Sequence, residues 1–258
     1  LSYYVSGSYM YDNRYALNFS VRGDGSNRFG QDEKEKYLPV WSIGTRWNVT
    51  DEHWLQGQDL LNYLSLSATF GYQGNVVENV SANLIAKILP LDPETGEFKM
   101  TYTKLPNPDL KWETTKQTDI GIDLSVLGGR ISLVADYYYK KTVDLHYDKI
   151  LPYYTGYSSQ TQNIGSKSNK GWEFSLNTQN LVGDFKWSTS LNIALNREKV
   201  LDLGDDEYFY TNGSGGALGA GFNETGIVKV GEPLGNFYGY VFDGIYQNEA
   251  EAKALGLT

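Results

Sequence analysis

The 258-residue chain has no cysteine, two histidines and seven prolines. The missing cysteines exclude a disulfide framework, a zinc–cysteine site and a thiol nucleophile. The two histidines, His53 and His146, fall in separate connections on opposite sides of the strand pattern described below, so a Ser-His-Asp triad and a two-histidine metal site are not expected. No stretch of about 18 apolar residues occurs, which excludes a transmembrane helix but not a strand-built span. Basic residues are in deficit: 22 Lys and Arg stand against 31 Asp and Glu, a net charge of -9, which argues against a nucleic-acid partner. There is no G-x-S-x-G elbow and no phosphate-binding G-x-x-x-x-G-K-[ST] loop. "GSGGALGAG" (213–221) has the glycines of such a loop without its lysine, and reads as a plain connection. "DDE" (205–207), "RGD" (22–24) and "NVT" (48–50) read as ordinary loop or strand-end residues. No cofactor, metal site or catalytic group is expected.

Tyrosine and glycine are abundant, at 21 and 28 residues. Together with period-two alternation they point to strands and turns. In "GGRISLVADYYYKKTVDL" (128–145), Ile131, Leu133, Ala135, Tyr137 and Tyr139 form one face; Arg130, Ser132, Val134, Asp136, Tyr138 and Lys140 form the other. The same alternation recurs around 1–11, 15–22, 41–47, 64–72, 117–126, 172–177 and 187–196, with a less regular segment at 226–247. This predicts about nine strands, mostly longer than the five or six residues usual in soluble domains and close to the 9–11 a tilted membrane-spanning strand needs.

Two further patterns distinguish a membrane barrel from a soluble sandwich. Connections alternate in length: 11–14, 127–129 and 179–184 are short and 49–61 is intermediate, whereas 23–36, 73–111, 144–165 and 199–226 are long. An up-and-down barrel does this because its turns lie on one side of the bilayer and its loops on the other. Aromatics also fall in two belts on the apolar face: Tyr9, Tyr11, Tyr15, Trp47, Phe185 and Trp187 near the short turns, and Phe70, Tyr72, Tyr137 and Tyr139 near the long loops. The expected fold is all-β, a piece of a large antiparallel transmembrane barrel with its apolar face toward lipid.

The segments "RGDGSNRFGQDEKEKYLPVWSIGTRWN" (22–48), "SATFGYQGN" (67–75), "NPDLKWETTKQTDIGIDL" (107–124), "NIGSKSNKGWEFSLNTQN" (163–180), "WSTSLNIALNREKVLDL" (187–203) and "VGEPLGNFYGYVFDGIYQNEAEAKA" (230–254) occur in order with residues 130–145. Taken together they resemble the SusC/RagA-like TonB-dependent transporters of Bacteroidetes outer membranes. The resemblance implies about 22 strands around a plug. Residues 1–258 would then be a partial barrel domain, about nine of those strands, with the plug, the TonB-contacting segment and the terminal strands absent. It further implies active import of a bulky nutrient, most often an oligosaccharide and less often a peptide. A SusD-like surface lipoprotein would serve as lid, TonB would act through the N-terminal part, and outer-membrane lipid would surround the wall.

Two sets of residues are candidates for substrate contact. Tyr153, Tyr154 and Tyr157 of "LPYYTGY" lie in a long, outward connection, where aromatic faces and hydroxyls suit a sugar. Arg22, Arg130, Asp136, Tyr138 and Lys140 are candidates to line the lumen. Two other readings stay open at this stage: a lidless TonB-dependent receptor for a siderophore or cobalamin, and a soluble β-rich glycan-binding or adhesin domain.

Overall fold

The computed structural model describes residues 2–25, 37–75, 83–157, 159–205, 208–211, 226–234, 236 and 242. Eight long strands form one sheet: β1 (Ser2–Tyr11), β2 (Tyr15–Gly25), β3 (Tyr37–Asn48), β4 (Leu61–Asn75), β7 (Glu113–Val126), β8 (Ile131–Val143), β11 (Ser166–Val182) and β12 (Lys186–Asp202). Their order in the sheet, β1-β2-β3-β4-β7-β8-β11-β12, is their order in the chain, and every neighbouring pair is antiparallel. This is an up-and-down wall. At 10 to 17 residues its strands exceed the usual length in soluble domains.

The register assembles the alternation of single strands into two continuous faces. One row runs Tyr15–Trp47–Leu66–Ile122–Ala135–Phe174–Ile193, and the next Leu17–Thr45–Ala68–Ile120–Tyr137–Trp172–Leu195. Successive side chains point to opposite faces, so Ser67, Gly121, Asp136, Glu173 and Ala194 line up behind them. Nothing among the described residues packs on the apolar face. Leu17, Ile43, Phe70, Ile120, Ile122, Trp172 and Ile193 are all exposed, although β3, β4 and β7 are flanked on both sides. A sandwich would bury this row under a second sheet; an outward-facing barrel wall leaves it for lipid.

The tight turns are built for reversal. Asp12 and Asn13 between β1 and β2, and Leu127, Gly128 and Gly129 between β7 and β8, take positive φ. Two short 3-10 turns, Val49–Asp51 and His53–Leu55, join β3 to β4. The long connections carry their own strands, which the period-two pattern did not reveal. β5 (Ile85–Leu91) and β6 (Phe98–Lys104) form a hairpin between β4 and β7. β9 (His146–Ile150) and β10 (Ser159–Asn163) form an arm between β8 and β11, and β13 (Tyr208–Thr211) pairs with β14 (Gly226–Lys229) after β12. The expected strand at 226–247 is thus described only as β14 and its immediate continuation. The rest of it apart from Asn236 and Phe242, residues 26–36, the glycine-rich 213–221 and Asp206 and Glu207 of "DDE" lie outside the described residues. Among the described residues no helix is long and apolar enough to cross a membrane.

The buried apolar residues are not in the wall. Val49 lies in the turn between β3 and β4; Leu110, Trp112, Leu145, Val200, Leu203, Val228 and Leu234 lie at strand ends and in connections on the long-loop side, and five of them, Leu145, Val200, Leu203, Val228 and Leu234, form one cluster. The chain therefore has a crown with a conventional core, standing on a wall without one.

Candidate functional site

Of the eight candidate residues, the structure brings three together. Asp136, Tyr138 and Lys140 follow one another on the polar face of β8. Tyr138 lies across Gly171 of β11, where a Cβ would meet its hydroxyl oxygen at 2.6 Å, so only glycine admits the ring there. Its hydroxyl donates to Asn196 Oδ1 at 3.2 Å, and Lys140 Nζ sits 5.2 Å from the ring centroid. Asp136 is opposite Gly121 and Glu173, with Asp119 and Asp123 on the same face of β7. Single-strand reading does not reveal this group, because the carboxylates come from three strands and meet only through the register. Part of it is balanced: Asp119 Oδ2 accepts from Thr69 Oγ1 at 3.0 Å, and Arg46 approaches Asp123 at 3.8 Å.

Arg22 and Arg130 stand apart from that group. Arg22 is on β2 and pairs with Asp24 of the same strand at 2.7 Å. Arg130 sits at the short-turn end, where its guanidinium donates to the main-chain carbonyls of Gln179 at 3.1 Å and Asn180 at 2.8 Å.

The three tyrosines stand on the arm. A 3-10 turn, Tyr153–Thr155, forms its tip between Pro152 and Gly156, the latter at φ 78°. Tyr153 is 95% and Tyr154 80% exposed, with ring centroids 6.4 Å apart and the rings edge to face. Tyr157, just past the tip, is half-buried.

The arm's roots explain the stretch "NPDLKWE". Asn107 donates to the Thr161 carbonyl at 2.8 Å and accepts the Asp109 N–H at 3.1 Å. Gln160 donates to the Pro106 carbonyl at 2.7 Å. Asn163 accepts the Lys111 N–H at 2.9 Å and donates to the carbonyls of Lys111 and Asp144, both at 2.8 Å. Leu110 is fully buried beneath these bonds. Glu113 Oε1 accepts the main-chain N–H of His146 at 2.8 Å, and Oε2 accepts from Asn75 at 2.9 Å. Burial works to raise the Glu113 carboxyl, but the bonds from the His146 side chain and main chain and from Asn75 outweigh it and hold the group below the ordinary glutamate value.

A second carboxylate organises the short-turn end. Glu52, nearly buried, accepts from the Tyr15 hydroxyl, from Trp47 Nε1 at 2.9 Å and from Arg14 at 3.0 Å. The bonds from Tyr15 and Trp47 do most to hold it below its usual range, with Arg14 adding to them against burial. The polar tips of these two belt aromatics therefore point to a protein carboxylate. His53, on this side, and His146, in the crown, belong to opposite ends of the wall. Among the described residues no group of three or more His, Cys, Asp or Glu is placed to hold a metal ion.

Comparison with known proteins places this geometry. A family model described as "TonB dependent receptor-like, beta-barrel" matches residues 1–253. TonB-dependent receptor P3 of Formosa agariphila is 37% identical over 246 residues, which is 93% of this chain and 24% of that protein. TonB-dependent receptor SusC of Bacteroides thetaiotaomicron is 34% identical over 255 residues, 93% of this chain and 25% of that protein. Among solved structures, the RagAB peptide importer in the "closed-closed" state superposes with a TM-score of 0.76 at 25% identity, covering 90% of this chain and 24% of the solved one. The chain thus spans about a quarter of the length of the proteins it matches. The relatives are receptors and importers rather than enzymes.

Proposed function

The chain belongs to the TonB dependent receptor-like β-barrel family, in its SusC/RagA-like branch, and from that premise we propose that it is the part of an outer-membrane importer that forms a sector of the wall and of the outer vestibule. The plug, the TonB-contacting segment and the remaining strands belong to the parent protein beyond these residues. The cargo is a bulky nutrient. An oligosaccharide is the first candidate, because the exposed pair Tyr153 and Tyr154 offers flat rings with hydroxyls at the outer end of the arm. A peptide is the second, because a solved relative is a peptide importer. Arg22, Arg130, Asp136, Tyr138 and Lys140 are then polar groups of the lumen, with Asp136, Tyr138 and Lys140 forming a patch that cargo passes. The protein works by gating rather than by making or breaking bonds.

A lid of the SusD type is supported by the hairpin β5–β6. Ala86, Ile88, Leu91, Phe98, Met100 and Tyr102 share one of its faces, and no described residue covers them. Isolated two-stranded hairpins are marginal in water, and a patch of this kind is more than a monomer surface usually leaves open. A partner protein seated there supplies the missing layer.

The observation that carries the reading is the wall: one face apolar and uncovered, the other polar, repeated in register over eight strands. The test is to purify the intact parent from outer membranes, identify its companions, and titrate defined oligosaccharide and peptide panels with and without Tyr153→Ala/Tyr154→Ala. A stoichiometric lipoprotein, and glycan binding weakened by the double variant, are expected. A parent without a lipoprotein that binds an iron-siderophore overturns the lid and the cargo together.

A further inference from the structure

Glu113 is the first residue of β7 and lies well beyond the belt residues Tyr137 and Tyr139, which pair with Ile120 and Thr118 further along the strand. Its side chain is almost wholly buried, and its two oxygens face different elements. One accepts from Asn75, the last residue of β4; the other accepts the N–H of His146, the first residue of β9. The His146 imidazole, fully buried, returns through Nε2 to the Lys111 carbonyl at 2.8 Å. That carbonyl accepts from Asn163 as well, the last residue of β10. Both strands of the arm are therefore tied at their roots to one carboxylate and one main-chain segment. Lys111 and Asp144 close the outside of the joint with an ion pair at 2.9 Å.

A five-residue two-stranded hairpin does not hold one orientation by itself in water. Here charge-assisted bonds at the roots add to the packing of the buried Leu110 and Leu145. Releasing the arm would strand a buried carboxylate without its donors, which is costly. The joint thus couples the arm to the end of β7.

We infer that Glu113 is a positioning residue: it fixes the arm relative to the wall, so that Tyr153 and Tyr154 are presented in one place before any ligand arrives. The use of that placement rests on the reading that these tyrosines meet cargo; the joint itself does not. Preorganisation of this kind raises affinity by removing the ordering cost from the binding step.

The test is amide hydrogen exchange on the intact parent protein in detergent, followed separately over 146–163 and over the mid-strand residues of β7 and β8. In Glu113→Ala the arm should exchange about tenfold faster or more, the equivalent of one charged buried hydrogen bond lost, while the mid-strand amides keep their wild-type rates. Glu113→Gln combined with Asn75→Asp exchanges donor and acceptor. The new amide keeps an oxygen for the His146 N–H and gives its own N–H to the new carboxylate, so wild-type exchange in the arm should return. An unchanged arm in Glu113→Ala, joint loss of protection in arm and wall, or failure of the exchanged pair to restore the arm each overturns the inference. A Tyr153→Ala/Tyr154→Ala protein that keeps arm protection and full cargo affinity would refute the cargo reading and leave the joint standing.

Discussion

Ile122 and Leu110 are both large aliphatic residues, twelve positions apart on the same stretch of chain, yet Ile122 is 41% exposed in an interior strand and Leu110 is 0% exposed in a connection. The contrast extends to whole regions. In the wall, each interior strand is hydrogen-bonded to both its neighbours and no described residue packs over the apolar face; the bilayer is its solvent. In the crown, apolar residues are buried against one another as in a water-soluble protein, and polar groups such as Glu113 and Asn163 are satisfied internally. One chain therefore follows two burial rules, and the boundary lies near the ends of the long strands.

The largest effect should come from the crown. Leu110→Ala removes a fully buried side chain and should cost about 2–5 kcal/mol of local stability, read by hydrogen exchange over 105–112 and 144–165, with the wall unmoved. If the wall loosens as well, the two regions are not separate. The reverse experiment is Ile122→Arg, a charge placed on the apolar face, which should cost about 2–4 kcal/mol in reversible folding into bilayers. Asn192→Arg on the polar face should stay within about 0.5 kcal/mol. Equal costs for these two would remove the asymmetry on which the wall rests.

Acid should act at both ends of the wall, through Glu113 in the crown and Glu52 at the short-turn end. The Glu113 carboxyl is held below its ordinary value, so its contribution is complete above about pH 4.3 and is lost as the pH falls through the lower native value. Arm protection measured against pH should fall in that acid window in the wild type, and that step should be absent in Glu113→Ala. The smallest effect on stability belongs to Tyr153→Ala and Tyr154→Ala. Exposed as they are, each should change stability by less than about 0.5 kcal/mol. Cargo affinity measured by titration should nevertheless drop about tenfold for the pair, the loss expected of an aromatic contact.

The wall was legible in the sequence because its determinants are local: a period of two, long strands, and turns at Asp12–Asn13 and Leu127–Gly129 that punctuate them. Seven of the segments with that period, together with 131–139, are the eight long strands. The crown was not legible, for the opposite reason. β5, β9, β10 and β13 are short, bulges interrupt the β5–β6 register between Ile88 and Leu91, and Leu110, Leu145 and His146 are isolated residues in polar surroundings. Of the candidate residues, Tyr153 and Tyr154 stand out in the sequence because aromatics in a long connection are conspicuous, and the structure leaves both exposed. Glu113 was missed because its partners, Asn75 and His146, lie 38 and 33 positions away. Its neighbourhood, "NPDLKWE", belongs to the segments that carry the family resemblance, and its backbone is held by a side chain from elsewhere.

The central claim is that the apolar face of the wall is solvated by lipid. The 258 residues contain no cysteine, so single cysteines at 119 through 124 of β7 would be unique within this segment. Spin labels at those positions in the parent protein, reconstituted in bilayers, report access to oxygen dissolved in lipid and to a water-soluble relaxing agent. The account predicts alternation: labels at Ile120, Ile122 and Leu124 meet oxygen, and labels at Asp119, Gly121 and Asp123 do not. A flat profile, or access of the water-soluble agent at Ile122, would contradict it.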